Sequence, residues 1–325
     1  MKLASGFYAY PKGRKFALWG WSCNVFAIPQ PGGDFLLVDA GSASFGKAKR
    51  LKRALRLDGF ELGDLRAVVL THAHVDHYQA VPSLLEDAPN AEVWVHKADA
   101  AALSDPAGAF EATFGGAPGL ERAFVPFGAV KLAKKLARWL LGSSDPVEPD
   151  RLLEDGDVLG DGPGALRVVH TPGHSPGHCS YLLENSGVLL SGDVVDPAFD
   201  DKPVLNLPTS DFGATRESIE RLLDLKPTGV ATSHGDVGAG LFLDGQGAAT
   251  AFFSHALEHL EGALGSVRKL LETRERVRFA EFADAIDQRV WTNKFERLTT
   301  ALAVLKFLER RGEVRREDDW FARVG

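Results

Sequence analysis

Short apolar runs and longer stretches of helical spacing take turns along this chain. Asn24–Ile28 and Phe35–Val38 are apolar or β-branched runs. Pro29-Gln30-Pro31-Gly32-Gly33 parts them, which predicts a hairpin. Phe45–Leu57 has helical spacing with basic residues on its outer side. Ala67–Leu70 predicts a strand that runs into Thr71, Ala80–Glu86 a helix, and Glu92–His96 another strand. Strand signals resume at Ala165–Val169, Ser180–Leu183 and Val188–Leu190. Ser218–Leu225 reads as a helix and Gly229–Thr232 as a last strand entering His234. Such alternation predicts packed layers of strands and helices.

Two regions break the pattern. Between residues 98 and 149, helical stretches such as Ala129–Leu141 alternate with Gly and Pro breaks. So long a segment between sheet units predicts an insertion packed over an edge or over a site. Its Phe110, Phe114, Phe124 and Phe127 suit either a hydrophobic lid or plain helix packing. After Gly247 the chain turns helical, over Ala249–Glu272, Phe279–Ile286 and Phe295–Arg311. A short hairpin from Gly312–Arg316 to Trp320–Ala322 follows. The expected division is therefore residues 1–247 as the main domain, with the insertion, and 248–325 as a small winged-helix-like domain.

Composition narrows the classes. The chain has 325 residues, 45% apolar and 25% charged, enough for a sizeable core. No run approaches the length of a membrane span, and residues 1–20 lack a secretory pattern, so no membrane partner is expected. Two cysteines, Cys23 and Cys179, argue against a disulfide framework and for a reducing, cytoplasmic setting. Cys179 opens an apolar run and reads as a buried small hydrophobe. The net charge of -7 offers no general attraction to polyanions. From Ser266 onward, 14 Lys/Arg face 11 Asp/Glu, which reads as a solvated helical surface.

The chemistry concentrates in Thr71-His72-Ala73-His74-Val75-Asp76-His77. Imidazole suits zinc and related ions, and carboxylate adds a harder oxygen. His72 and His74 are two apart, so an extended backbone sends both to one side. Asp76 and His77 are adjacent and point apart, so they can serve a second ion. Three of the chain's 10 histidines in this run make chance clustering a poor explanation.

This motif after a strand resembles the metallo-β-lactamase superfamily, and other segments resemble its further motifs in order. Leu37-Val38-Asp39-Ala40-Gly41 is similar to the early strand-end aspartate, Thr171-Pro172-Gly173-His174 to the third-histidine motif, Ser191-Gly192-Asp193 to the bridging aspartate, and Ser233-His234-Gly235-Asp236 to the final histidine. The resemblance implies an α+β fold, a four-layer αββα sandwich. It also implies two divalent metal ions, zinc first, with manganese or iron as alternatives. One ion would take His72, His74 and His174, and the other Asp76, His77 and His234, with Asp193 bridging and Asp39 bracing the loop. A hydroxide activated between the ions would be the nucleophile, oriented by Asp76 as a catalytic residue. His170 and His178 are candidates for a supporting or substrate-facing role, with packing or capping as the alternative. His96 reads as structural, His255 and His259 as a surface or interface pair, and Phe7, Trp19 and Trp21 as core or pocket residues.

The histidine motif through His178 and the helical C-terminal part resemble the beta-lactamase-like protein 2 and glyoxalase II-like branches. Many β-lactamases of the superfamily use a cysteine ligand, and none is expected here. Asp193 therefore points to cleavage of a small acyl thioester, ester or lactone. Single-stranded RNA cleavage is the alternative, which the charge does not favour. A non-catalytic winged-helix regulator is the third reading. A mononuclear iron dioxygenase also occurs in this superfamily, but the full set of Asp76, His77 and His234 argues for two ions. Exposed helices would also suit a homodimer.

Overall fold

A computed structural model describes residues 1–3, 6–12, 22–115, 145–197 and 201–324. Trp19, Trp21, Phe124, Phe127 and the expected helix Ala129–Leu141 lie outside the described residues, as does the side chain of Phe114.

The first sheet has six strands in chain order: β1 (Tyr8–Tyr10), β2 (Val25–Pro29), β3 (Phe35–Val38), β4 (Leu65–Val69), β5 (Glu92–His96) and β6 (Arg151–Leu153). β1, β2 and β3 pair antiparallel, and β3 to β6 pair parallel. The second sheet runs β14 (Phe242–Asp244), β13 (Gly229–Ala231), β10 (Val188–Leu190), β9 (Cys179–Leu183), β8 (Leu166–His170) and β7 (Val158–Leu159). A two-stranded ribbon, β11 (Val195–Asp196) with β12 (Lys202–Pro203), follows Asp193.

Both sheets are covered on both faces, which is why their strands read as unbroken apolar runs. Period-2 alternation sorts the residues. Phe26, Ile28, Leu36, Val38 and Val69 face the second sheet's Leu166, Val168, Tyr181 and Leu190. Their neighbours Val25, Ala27, Leu37 and Val68 point the other way, toward α1 (Lys47–Leu57) and α3 (Val81–Asp87). On the second sheet Leu189 and Val230 point outward to α6 (Phe212–Leu225) and α7 (Gln246–Thr273). Helix, sheet, sheet, helix is the expected four-layer order. Among the described residues of this part, the remaining helices are α2 (Val75–Tyr78), α4 (Ala100–Ser104) and α5 (Pro106–Gly115).

The C-terminal part runs α7, β15 (Val277–Arg278), α8 (Phe282–Ala285), α9 (Lys294–Arg310), then the hairpin β16 (Val314–Glu317) and β17 (Trp320–Arg323). The sheet order is β15-β17-β16. One apolar cluster joins Leu189 and Val230 through Phe253 of α7 to Leu305 of α9 and Phe321 of β17. Polar ties add to it. Lys202 donates to Glu296 at 2.7 Å, Lys306 to the Pro208 carbonyl at 2.8 Å, and Arg310 to Asp211.

Several expected elements shift at their ends. α6 begins at Phe212, six residues before the apolar spacing suggests, because Asp211 caps it by accepting from the Ala214 amide at 3.0 Å. Phe7 belongs to the core between the sheets, its ring set edge-on to Phe26. Cys179 is fully buried in the same core. His255 sits 3.5 Å from Asp201, with the His259 ring beside it. Among the described residues no helix is long and apolar enough to cross a membrane.

Candidate metal centre

The site gathers at the ends of strands from both sheets. β4 ends at Val69, the chain bends at Thr71, and His74 is extended (φ -84, ψ 149) before the turn into α2. His72 and His74 therefore lie between the strand and the helix, and Asp76 and His77 on the first turn of a short helix. His174 and His178 come from the loop between β8 and β9, Asp193 follows β10, and His234 follows β13.

Among the described residues, four groups of potential donors have ligand atoms within 4.8 Å of one another. His72, His74 and His174 form one, and Asp76, His77 and His234 another. His72, His77 and Asp193 form a third, which joins those two. The Oδ2 of Asp193 is 3.1 Å from His234 Nε2, 3.4 Å from His77 Nε2 and 3.7 Å from His174 Nε2. Asp76 Oδ2 is 3.5 Å from His234 Nε2 and 3.8 Å from His77 Nε2. All seven expected ligands meet at one centre.

Hydrogen bonds on the outer side decide which nitrogens look inward. A carboxylate only accepts, so His77 Nδ1–H donates to Asp39 Oδ2 at 2.9 Å. The Thr71 hydroxyl donates to Asp39 at 3.0 Å, which leaves its oxygen to accept from His72 Nδ1–H at 3.0 Å. His174 Nδ1–H donates to the Val204 carbonyl at 3.2 Å. Each ring thus turns a bare Nε2 to the centre. His74 presents Nδ1, 2.8 Å from His174 Nε2.

The donor set fits metal ions by a test of the structure itself. His72 Nε2, His77 Nε2 and Asp193 Oδ1 are buried and have no hydrogen-bond partner. Orphaned buried polar atoms are costly, and the three residues place ligand atoms within 4.8 Å of one another. Burial drives the imidazoles of His74 and His174 down to about 4 and about 3, and His72 well below its ordinary value. They are neutral at pH 7, the form that binds metal. Burial also opposes charge on His77 and His234, but for His77 the Cys23, Asp193, Asp39 and Asp76 groups outweigh it, and for His234 Asp193 and Asp76 do. Both are lifted, as expected for imidazoles among carboxylates.

Other expected residues take definite places. Asp39 is fully buried with a left-handed backbone (φ 61) and also accepts from the Thr71 amide at 2.8 Å. His178 Nε2 accepts from the Asp193 amide at 2.8 Å while its Nδ1–H donates to the Thr171 carbonyl at 3.0 Å, so it supports Asp193. His170 points elsewhere. Its ring stacks on His96 with centroids 4.0 Å apart and bonds the Pro176 carbonyl, which is a packing role. Cys23 groups with Asp39 and His77, but burial pushes its thiol up to about 12 and Asp39 already takes His77 Nδ1.

Sequence reasoning missed three supports. The buried Asn24 donates to the carbonyls of Thr232 and Gly235, both at 2.8 Å, and so grips the loop of His234. Lys12 donates to the His234 carbonyl. Asp99 bridges two ligand loops. Neither Asn24 nor Asp99 stands in a local motif, so only the tertiary structure reveals them.

Residues 18–234 match the family described as the metallo-beta-lactamase superfamily, two thirds of the chain. The chain belongs to that superfamily. It is a metallohydrolase by fold and by family. A probable metallo-hydrolase of Bacillus subtilis (strain 168), YflN, is 30% identical over 231 residues, 65% of this chain and 80% of YflN. An acyl-coenzyme A thioesterase of Gallus gallus, MBLAC2, is 39% identical over 85 residues, 26% of this chain and 30% of that protein. The crystal structure of the metallo-beta-lactamase family protein TTHA1429 from Thermus thermophilus superposes with a TM-score of 0.74 over 98% of both chains. At 22% identity that likeness concerns the fold.

Proposed function

We propose that this metallohydrolase cleaves a small acyl thioester, ester or lactone with two divalent cations, zinc in the first instance and manganese or iron as alternatives. The observation that carries the reading is the place of Asp193. Its Oδ2 lies 3.1 Å from His234 of one donor group and 3.7 Å from His174 of the other. His72, His74 and His174 would hold one cation, and Asp76, His77 and His234 the second, with Asp193 shared between them. When bound, two such cations make water nucleophilic near neutral pH and polarise the oxygen of the scissile group.

The chain's own residues supply the rest. Asp76, partly exposed beside His234, has a carboxylate oxygen that accepts a hydrogen bond from the attacking water and orients it. Asp39, Thr71 and Val204 fix the tautomers of His77, His72 and His174, so these three imidazoles do not have to reorganise during turnover. Buried His72, His77 and Asp193 keep the inner side of the site dry, which strengthens charge interactions there.

The substrate class draws support from the partial match to an acyl-coenzyme A thioesterase and from the aspartate, Asp193, that stands between the two imidazole groups. A small acyl substrate also fits a chain of net charge -7 better than a long polyanion does. One feature favours a second reading, cleavage of single-stranded RNA. On the C-terminal sheet, Arg276 and Arg278 lie over the Trp320 ring at 4.5 and 4.7 Å, a pairing suited to a stacked base. The C-terminal order of helices and hairpin supports a winged-helix-like module for that purpose.

A panel of chromogenic thioesters, esters and lactones, run beside a single-stranded RNA, separates the readings. The first reading expects turnover of an acyl compound that His74→Ala and Asp193→Ala abolish, with RNA left intact. RNA cleavage with steep salt dependence and no acyl turnover would replace it with the second.

A further inference from the structure

Asp99 stands at the first turn of α4, where an aspartate ordinarily caps the helix by accepting from its amides. Its side chain makes no such bond. The carboxylate is spent elsewhere. Oδ2 accepts from the Ala73 amide at 3.1 Å and from the Ser175 hydroxyl at 2.7 Å, and Oδ1 accepts from the Gly177 amide at 2.6 Å. Asp99 is 2% exposed, so these bonds do not compete with water.

The three partners bracket the ligands. Ala73 lies between His72 and His74. Ser175 follows His174, and Gly177 precedes His178, which holds the Asp193 amide. Gly177 is glycine for the same reason. A Cβ there would stand 2.6 Å from the Asp99 backbone nitrogen and 2.7 Å from its carboxyl carbon. The two loops come from different sheets. The Cys179 amide joins their far ends by donating to the Thr71 carbonyl at 2.8 Å, and Asp99 joins them beside the ligands, where His74 Nδ1 and His174 Nε2 sit 2.8 Å apart.

We infer that Asp99 is a positioning residue for the metal centre: one buried carboxylate clamps the loop of His72 and His74 to the loop of His174 and so sets the donor spacing of that cation site. It touches neither cation nor substrate. The inference rests on the proposed two-cation reading and adds a residue that lies outside the ligand set.

The test measures zinc affinity and stoichiometry by competition with a chromogenic chelator, for the wild-type protein, Asp99→Asn, Asp99→Ala and Ser175→Ala. The thermal midpoint of each metal-free protein is measured beside it. Failure of the wild type to bind two ions would refute the metal reading itself. With the wild type binding two, Asp99→Ala is expected to weaken one ion by about ten- to a hundredfold and to leave the other less affected. Asp99→Asn should fall between, since its amide keeps one accepting oxygen and turns a donor toward the other partners. The visible spectrum of cobalt bound to the weakened site should shift as well. A residue that only supports folding would lower the metal-free midpoint and leave affinity unchanged. Wild-type affinity at both ions in folded Asp99→Asn and Ser175→Ala would overturn the inference, even if Asp99→Ala fails to fold.

Discussion

His77 Nδ1 lies 2.9 Å from Asp39 Oδ2, with both side chains fully buried. That contact fixes the tautomer of His77 and leaves Nε2 bare toward Asp193 and Asp76. Asp39 reaches this point because its backbone takes a left-handed turn after β3, and Thr71 completes its shell. The brace and the ligand are separated by 38 residues in sequence.

Asp39→Asn keeps the shape of the brace and loses the certainty of the tautomer. The amide can turn a donor toward His77 Nδ1, which then accepts and leaves the ring proton on Nε2, facing the centre. Metal affinity at the Asp76, His77 and His234 group should fall by about ten- to a hundredfold. Isothermal titration with zinc checks this, and unchanged affinity would speak against the role of Asp39.

Gly192→Ala should damage the centre without touching a ligand. Gly192 has φ 60, and a Cβ there would stand 2.4 Å from His178 Nε2, the atom that holds the Asp193 amide. Strain of about 1–2 kcal/mol from the backbone adds to the clash. Denaturant unfolding should show lower stability, and metal analysis a lower occupancy. A variant with native stability and full metal content would contradict the packing described for His178.

The metal-free protein should lose stability in acid over a defined window. Burial holds His74 at about 4 and His174 and His178 at about 3, against an ordinary 6.5. Between those values the unfolded chain binds more protons than the folded one, so stability rises with pH there and is lost as pH falls. His77 and His234 have the opposite sign. Their contribution is fully present below about 6.5 and is lost only as pH rises through their raised values. Thermal midpoints in chelator should therefore drop steadily from about pH 6.5 toward pH 4. A flat profile across that range would refute the burial argument.

Much of this was legible in the chain. Val188–Leu190 and Glu92–His96 are strands at the bounds the apolar runs suggest. The Thr71–His77 run, with His174, Asp193 and His234, named the side chains that the structure brings together in the His72, His74 and His174 group, the Asp76, His77 and His234 group and the His72, His77 and Asp193 group. Local signals failed where structure depends on distant partners. The two-residue strands β7, β11 and β12 carry too little pattern to be read. Asp99 and Asn24 reach the ligand loops across 26 and 208 residues, so no spacing rule marks them. His170 adjoins the third-histidine motif yet faces His96, because it ends β8 with its ring turned from the cluster.

The reading depends above all on two cations sharing Asp193. Anomalous diffraction from metal-loaded crystals, collected on both sides of the absorption edge, tests it directly. The expected result is two peaks about 3.5–4 Å apart, one against His72, His74 and His174, the other against Asp76, His77 and His234, with the Asp193 carboxylate touching both. A single peak, or peaks away from these side chains, would contradict it.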